Sequence, residues 1–130
     1  MGASGAVGVT LDAGALIAFE RGDLLMRALV AEARAGGEAL GVPAGILAQV
    51  WRDGARQARM AGLVGSSTIE IVGLDETAAK AVGRICAISG TADVIDASVV
   101  LAARQRGDRV VTSDPGDLAA IDSELELLVI

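Results

Sequence analysis

The chain has 130 residues, 52% of them hydrophobic, with 11 basic and 17 acidic side chains and a net charge of −6. This length and composition fit one domain with a sizeable core, so we expect a single domain over residues 1–130. The acidic balance argues against a general nucleic-acid binder, and the near absence of aromatic residues argues against a stacking platform for single-stranded bases.

Histidine is absent from the chain, and Cys86 is the single cysteine. These counts exclude Ser-His-Asp and Cys-His triads, His-ligated zinc and a disulfide framework, so any catalysis must use carboxylates. Cys86 lies in an apolar run and is predicted to pack as a small hydrophobe. The N-terminus has no leader pattern and no window is long enough to span a bilayer, so we expect a cytoplasmic protein without membrane contact.

The first third of the chain predicts one strand and two helices. Residues 6–12 form a β-branched run that ends in Asp12, and the next segment predicts a helix that stops at Gly22. Residues 23–37 predict an amphipathic helix with Asp23 as its N-cap. The apolar stripe of this helix is predicted to comprise Leu24, Leu25, Ala28, Leu29 and Ala31.

The middle third predicts two strands and two helices. A short strand leads to Pro43, which starts a long helix with a weak point at Gly54. Residues 68–71 alternate as a half-buried strand does, and Asp75 and Gly90 mark the start and end of the helix that follows.

The last third predicts the helix TADVIDASVVLAARQRG, the strand RVVTS, a short helix near GDLAAID and the closing strand LELLVI. Strands and helices therefore alternate along the whole chain. This order predicts the α/β class, with a three-layer α/β/α domain around a central, mainly parallel sheet.

Several acids lie at positions where parallel sheets bind their ligands. Asp12 and Asp114 each follow a strand, and the carboxyl ends of parallel strands meet at one edge of the sheet. Asp93 and Asp96 are three residues apart near the start of the late helix, so they share one side of its first turns. Asp93 also suits a simple role at the positive end of that helix, two residues after a candidate N-cap at Thr91.

Asp96 is the acid that is hardest to explain as a structural residue. The residues after it, ASVVLAA, are almost wholly apolar, so its side chain is expected in a crowded setting where an unpaired charge is costly. Converging carboxylates without His or Cys ligands favour a hard divalent ion, Mg²⁺ or Mn²⁺. Such a site suits metal-assisted hydrolysis of phosphodiester bonds.

Three segments of the chain resemble one known family. LDAGALIAF, TADVIDASVVLAAR and VVTSDPGDL, in this order and spacing, resemble the PIN-domain ribonucleases, specifically the VapC-type toxins of bacterial toxin-antitoxin pairs. The resemblance runs from about residue 8 to the end of the chain. It implies a small α/β/α domain, an acidic Mg²⁺ site that cleaves RNA, a homodimer and a cognate antitoxin that covers the site.

The resemblance also implies roles for individual acids. Asp12, Asp96 and Asp114 match the family's catalytic, metal-holding acids, and Asp93 and Asp117 match auxiliary acids that act behind these ligands or through water. Asp117 is in addition predicted to cap the short helix that follows it.

One acid of the family pattern is missing. The family usually carries a Glu on the helix after the second strand, and the matching position here is Gln49. An amide coordinates through oxygen but adds no negative charge, so weaker metal affinity is expected. The alternative is a polar residue that faces solvent on an amphipathic helix.

Arg52, Arg56 and Arg59 are spaced four and three apart, so one continuous helix would align them on one side. This stripe is the candidate RNA-binding surface, and a solvated helix face is the alternative. Trp51 adjoins the stripe and is predicted to pack in the core.

The leading hypothesis is therefore a Mg²⁺-dependent endoribonuclease of the toxin type. The alternative is a catalytically weak or inactive PIN-like module that binds a basic partner segment through its acidic pocket. A phosphate-transfer receiver domain shares the layout but needs a Lys late in the chain, and the only lysine is Lys80. A dinucleotide-binding domain is disfavoured because no suitable Gly-rich turn follows the first strand.

Overall fold

The computed structural model describes residues 8–130, which form five strands and seven helices. The strands are β1 (Val9–Leu11), β2 (Leu40–Pro43), β3 (Ile69–Val72), β4 (Arg109–Thr112) and β5 (Leu127–Val129). The helices are α1 (Ala13–Glu20), α2 (Leu24–Gly36), α3 (Ala44–Val50), α4 (Ala58–Val64), α5 (Glu76–Ser89), α6 (Val94–Arg106) and α7 (Pro115–Ile121). The first residues of the predicted strand 6–12 lie outside the described residues.

The strands form one parallel sheet in the order β3-β2-β1-β4-β5. Helix α1 contacts α2, α3 and α4, while α5, α6 and α7 contact one another. The predicted three-layer α/β/α fold is confirmed, and every strand pair in the described chain is parallel. None of the helices in residues 8–130 combines the length and apolar character needed to cross a bilayer alone.

Helix α6 lies across the middle of the sheet and contacts β2, β1 and β4. Sheets of this kind are buried on both faces, which explains why every residue of β1 and the last three residues of β4 are buried. The core residues that α6 contributes are small or β-branched, namely Ala97, Val99, Val100, Ala102 and Ala103.

The buried face of α2 differs from the predicted stripe. Leu24 and Leu25 are 77% and 50% exposed, and of the predicted stripe only Leu29 packs against the core. Apolar residues occupy most positions of this helix, so two alternative stripes are compatible with the sequence. The predicted stripe is the wrong one. The buried face consists of Met26, Val30 and Ala33.

The long helix predicted after Pro43 is divided into α3 and α4 by a loop at residues 51–57. Gly54, the predicted weak point, lies in this loop. Trp51 ends α3 in an extended conformation and is 39% exposed, so the prediction that it packs in the core is wrong.

Arg106, at the end of α6, fastens that helix to the sheet. Its Nε donates to the buried Asp108 carboxylate at 2.6 Å, and its guanidinium pairs with Glu70 and donates to the Ala39 carbonyl oxygen at 2.8 Å. The Thr10 hydroxyl donates to the same Asp108 oxygen at 2.8 Å. A buried carboxylate is stable only with such donors, so the connection depends on Arg106.

Replacing Arg106 is therefore expected to destabilise the fold strongly. Arg106→Met keeps most of the side-chain volume but leaves Asp108 as a buried charge without its ion-pair partner, which typically costs about 3–5 kcal/mol. Arg104→Met is the matched control on the same helix, because it breaks only the pair with Asp122, in which the Arg104 side chain is 50% exposed. Such pairs contribute about 0–1 kcal/mol. Urea unfolding should separate the two variants, and equal losses of stability would contradict this role of Arg106.

Candidate metal centre

The candidate site lies where the strand order reverses. The chain proceeds from β1 to β2 and β3 on one side, then returns to place β4 on the other side of β1. Ligands of open parallel sheets bind at such a switch point, outside the carboxyl ends of the strands. Leu11 pairs with Val111, and the Asp12 N–H donates to the Val111 carbonyl oxygen at 3.2 Å. This register brings the acid after β1 alongside the end of β4.

Asp12 is both the residue after β1 and the N-cap of α1. Its carboxylate accepts the Ala15 N–H at 3.0 Å. Burial raises the pKa of Asp12 above its ordinary value of 3.8, against the opposing effects of the Thr112 hydroxyl and the Ala15 and Gly14 N–H groups. The carboxylate is thus held in a fixed, half-buried position at the edge of the sheet.

Thr112 connects the two acids that follow β1 and β4. Its side chain is fully buried, and its hydroxyl acts on the Asp12 carboxyl, whose pKa it lowers. The same hydroxyl oxygen accepts the Asp114 N–H at 2.9 Å. Sequence reasoning missed this residue. The available signal was a hydroxyl at the end of the apolar run in RVVT, where a buried polar atom needs partners.

Gly14, in the first turn of α1, allows that helix to approach the end of β4. A Cβ atom built at Gly14 would lie 2.0 Å from Ser113 Oγ, 2.9 Å from Ser113 Cβ and 3.2 Å from the Ser113 backbone nitrogen. Because Asp12 caps the same helix, this close approach helps to set the position of its carboxylate.

Asp93 is the N-cap of α6. Its carboxylate accepts the Asp96 N–H at 3.0 Å, while the Thr91 hydroxyl oxygen accepts the Asp93 N–H at 3.1 Å. The prediction of Thr91 as the N-cap is therefore wrong, and the helix begins two residues later. The short polar side chain of Thr91 instead shapes the turn before the helix.

Asp96 carries the largest perturbation among the site's acids. Its pKa is raised to about 6, first by burial, then by the charges of Asp93 and Asp117, by a hydrogen bond with Asp93 and by the charge of Asp114. The pKa of Asp117 is raised as well, mainly through its hydrogen bond with Asp114 and the charge of that group. These four acids therefore act on one another electrostatically.

Asp114 and Asp117 divide their roles differently from the prediction. Asp114 occupies the N-cap position of α7 but makes no side-chain capping bond, and Asp117 lies inside the first turn. The prediction that Asp117 caps this helix is therefore wrong, because Pro115 begins the helix directly after Asp114. Both residues are exposed.

The five acids form two neighbouring sets. Asp93, Asp96 and Asp117 line a shallow depression of about 370 Å³. The charge of Asp114 raises the pKa of both Asp96 and Asp117. Asp12 neither lines the depression nor contributes to the raised pKa of Asp96. Among residues 8–130, no set of three carboxylates is already arranged to hold a metal ion. The donor set suits a hard divalent ion by charge and atom type, and the exposed side chains must converge to bind one.

Gln49, the residue at the position of the missing acid, lies near the end of α3 with its side chain exposed. It is not among the residues that line the acidic depression. In the described structure it is closer to the alternative interpretation, a polar residue facing solvent.

The arginines of the predicted stripe do not share a helix face. Arg52 and Arg56 lie in the loop between α3 and α4, and only Arg59 is in a helix. Arg52 donates to the carbonyl oxygens of Ala48 and Trp51 at 3.3 and 2.6 Å. The prediction of one aligned stripe is wrong because the helix is interrupted. All three arginines are exposed.

Comparison with known proteins supports the architecture alone. No protein-family model and no curated protein matches the chain. Among solved structures, the crystal structure of PAE2754 from Pyrobaculum aerophilum is similar, with a TM-score of 0.66 and 18% sequence identity. The match covers 93% of this chain and 83% of that chain. At this level of identity the likeness shows a shared fold and carries no function with it.

Adding a methyl group at Gly14 is expected to disturb the site from within. Gly14→Ala should cost about 1–3 kcal/mol, because the new Cβ overlaps Ser113. Combining it with Ser113→Gly should recover most of that loss, which chemical denaturation of the four proteins of the cycle would measure. Gly83→Ala in α5 is the control, since nothing lies within 4 Å of its added Cβ. A Gly14→Ala variant as stable as the Gly83→Ala variant would contradict the close contact.

The raised pKa of Asp96 predicts a pH-dependent cost in stability. The folded protein keeps this proton up to about pH 6, whereas the unfolded chain loses it near 3.8, so stability falls as pH rises through that window. Asp96→Asn removes the cost and should raise the melting temperature at neutral pH. Because the group is partly exposed and screened by water, we expect about 1 kcal/mol, or about 3–6 °C.

The two proteins should melt at the same temperature at about pH 3, where Asp96 is protonated in both states. Glu124→Gln, an exposed position in the loop before β5, is the matched charge control and should leave the pH profile unchanged. A lower melting temperature of Asp96→Asn at neutral pH would contradict the crowding of carboxylates.

Proposed function

We propose that the protein is a Mg²⁺- or Mn²⁺-dependent endoribonuclease of the PIN-domain type, acting as the toxin of a toxin-antitoxin pair. The observation that carries the proposal is the grouping of Asp93, Asp96 and Asp117 around one surface depression, where burial and the neighbouring carboxylates raise the pKa of Asp96 to about 6. An ion of double positive charge relieves that repulsion, and acids are placed under such strain at functional sites.

The position of the acids in the fold supports the same conclusion. Asp12 and Asp114 follow the two strands on either side of the switch point, and Asp96 lies in the first turn of the helix that crosses them. The three segments that resemble PIN-domain ribonucleases are the ones that carry these acids. A structural role explains one capping aspartate at a time, but it does not explain four that repel one another.

The acids and Thr112 would have different roles in the proposed site. Asp12, Asp96 and Asp114 would hold the ion, which when bound orients water and neutralises charge on the phosphate. The Thr112 hydroxyl lowers the pKa of the first of these acids and accepts the backbone N–H of the last. Asp93 fixes the backbone at Asp96 through their 3.0 Å hydrogen bond. With Asp117, Asp93 would also serve as an auxiliary acid.

The proposal includes the partners that the resemblance to PIN-domain toxins implies. RNA is the substrate in the cytoplasm, and a cognate antitoxin would cover the acids with a basic segment. A homodimer would bury an exposed apolar surface, and the outward face of α2, with Leu24 and Leu25 exposed, is the surface best suited to a partner chain.

A second candidate function is a PIN-like module that binds a basic partner segment without cleaving RNA. Two observations favour it. Gln49 supplies no charge where an acid is expected, and among the described residues the carboxylates are not arranged in a ready set of three. A cationic side chain would relieve the repulsion at Asp96 much as a metal ion would.

Cleavage of RNA by the purified protein tests the proposal. We expect cleavage of single-stranded RNA with Mg²⁺ or Mn²⁺ and none with a chelator. Asp12→Asn and Asp96→Asn should each lower the rate at least about 100-fold, since even residues behind a metal's ligands contribute 10- to 100-fold. Glu124→Gln should cleave at the wild-type rate.

Circular dichroism must show that both Asn variants are folded. Full activity in Asp12→Asn and Asp96→Asn would refute the nuclease mechanism. If the wild-type protein neither cleaves RNA nor binds Mg²⁺, but binds a basic peptide that Asp96→Asn no longer binds, the second function is correct.

A further inference from the structure

The single tryptophan of the chain is exposed at a surface depression. Trp51 ends α3 with its side chain 39% exposed. Its ring lies against Gly54, where an added Cβ would be 3.2 Å from the ring carbon Cζ2. Tryptophan is costly to leave in water, and neither the core nor the proposed metal centre accounts for its position.

The loop that carries Trp51 is held in place by one side chain. The Gln57 amide oxygen accepts the N–H groups of Arg52 and Asp53 at 2.9 and 3.1 Å, and its amide nitrogen donates to the Val50 carbonyl oxygen at 2.9 Å. These bonds fix the backbone on both sides of the tryptophan. The backbone that carries the ring is therefore ordered, which lowers the entropy lost when a ligand binds.

The depression beside the ring is apolar and about 370 Å³ in volume. It extends along α3 toward the carboxyl edge of the sheet, where α3 begins. The residues that line it are Ala44, Leu47, Ala48, Trp51 and Val64.

The charge around the depression favours an anionic partner. Residues 51–59, which flank the depression in the sequence, contain three arginines and one aspartate, a charge of +2 in a chain of net charge −6. Of these arginines, Arg59 donates to the Glu20 carbonyl oxygen at 3.2 Å. Arg56 is 89% exposed in its side chain, and its contact with Asp53 is long at 3.7 Å. A pair this exposed and long contributes little, so the guanidinium is available to a phosphate.

The depression is within reach of the acids. Helix α3 has seven residues, so its length from Ala44 to the loop is about 10 Å. At its start, Gly45 lies against α6, because a Cβ there would be 2.6 Å from Ile95 Cδ1. Ile95 immediately precedes Asp96. A single strand of the about 4–16 nucleotides typical of such sites spans this distance easily.

We propose that this depression binds one base of single-stranded RNA, stacked on Trp51, with an adjoining phosphate held by Arg56. The proposal rests on the proposed nuclease function and names the substrate subsite that it lacks. One stacked base is compatible with the scarcity of aromatic residues, which excludes only a platform for several bases. The base supplies the flat apolar face that the depression accepts, and the phosphates supply the negative charge.

Fluorescence of Trp51 tests the proposal, because the chain has one Trp and no Tyr. The full chain carrying Asp96→Asn, to prevent cleavage, is titrated in Mg²⁺ buffer with oligoadenylate of about ten nucleotides. Saturable quenching is expected. A ribose-phosphate chain of equal length without bases should bind more weakly and leave the fluorescence unchanged. Quenching of equal size by the abasic chain, or none by oligoadenylate, would overturn the proposal.

Affinity of labelled oligoadenylate, measured by anisotropy, tests the residue itself in the same background. Trp51→Ala should weaken binding about 5- to 150-fold, and Trp51→Phe should restore part of the loss. The control is Ile88→Ala on α5, a side chain that is 88% exposed and outside the depression; it should bind normally. Equal affinity of Trp51→Ala and Ile88→Ala would overturn the proposal.

Two further outcomes separate this inference from the nuclease function. If the wild-type protein cleaves no RNA while the effects of Trp51 on binding are present, the nuclease function fails and the base subsite stands. If Trp51 fluorescence depends on protein concentration alone, the depression binds a second copy of the chain and the base subsite is wrong.

Discussion

The pairing of β1 with β4 is the constraint on which the rest of the site depends. Leu11 lies opposite Val111, so Asp12 and Asp114, one and two residues beyond the ends of their strands, reach the same edge of the sheet. The Asp12 N–H extends the ladder by one bond, and the buried Thr112 hydroxyl accepts the Asp114 N–H and lowers the pKa of Asp12. A shift of one residue in this register would turn Thr112 to the other face of the sheet and separate the two acids.

Helix α6 completes the site, and its packing offsets the free-energy cost of the repelling carboxylates at its start. Its first turn brings Asp96 among other carboxylates, while its core residues and Arg106 hold the helix against the sheet. Ionised Asp96 destabilises the folded state at neutral pH, and the buried connection through Asp108 lies at the opposite end of the same helix. A helix anchored at one end can keep repelling charges at the other.

Much of the fold could be predicted from local sequence signals. The order of strands and helices and the caps at Asp23, Asp75 and Gly90 follow from residue chemistry within a few positions. The buried face of α2 could not be predicted, because its apolar residues are arranged around most of the helix. The break between α3 and α4 was indicated by Gly54 but depends on the hydrogen bonds of Gln57, which no periodicity reveals.

The candidate site was predictable in its residues but not in its arrangement. Acids after strands and at a helix start identify Asp12, Asp96 and Asp114, because parallel strands share one carboxyl edge. The bond from Thr112 and the separation of Asp12 from the acids around Asp96 depend on side-chain positions across the sheet. Trp51 shows the same limit, since an aromatic residue next to a helix end packs inward or outward according to where the helix stops.

The central proposal is that the acids around Asp96 repel one another and bind a divalent cation. Its most direct test is a carboxyl-resolved NMR titration of the wild-type protein, with and without Mg²⁺. The account predicts that Asp96 titrates near pH 6 without the ion and well below that pH when Mg²⁺ is bound. An Asp96 that titrates near 3.8 in both conditions would contradict it.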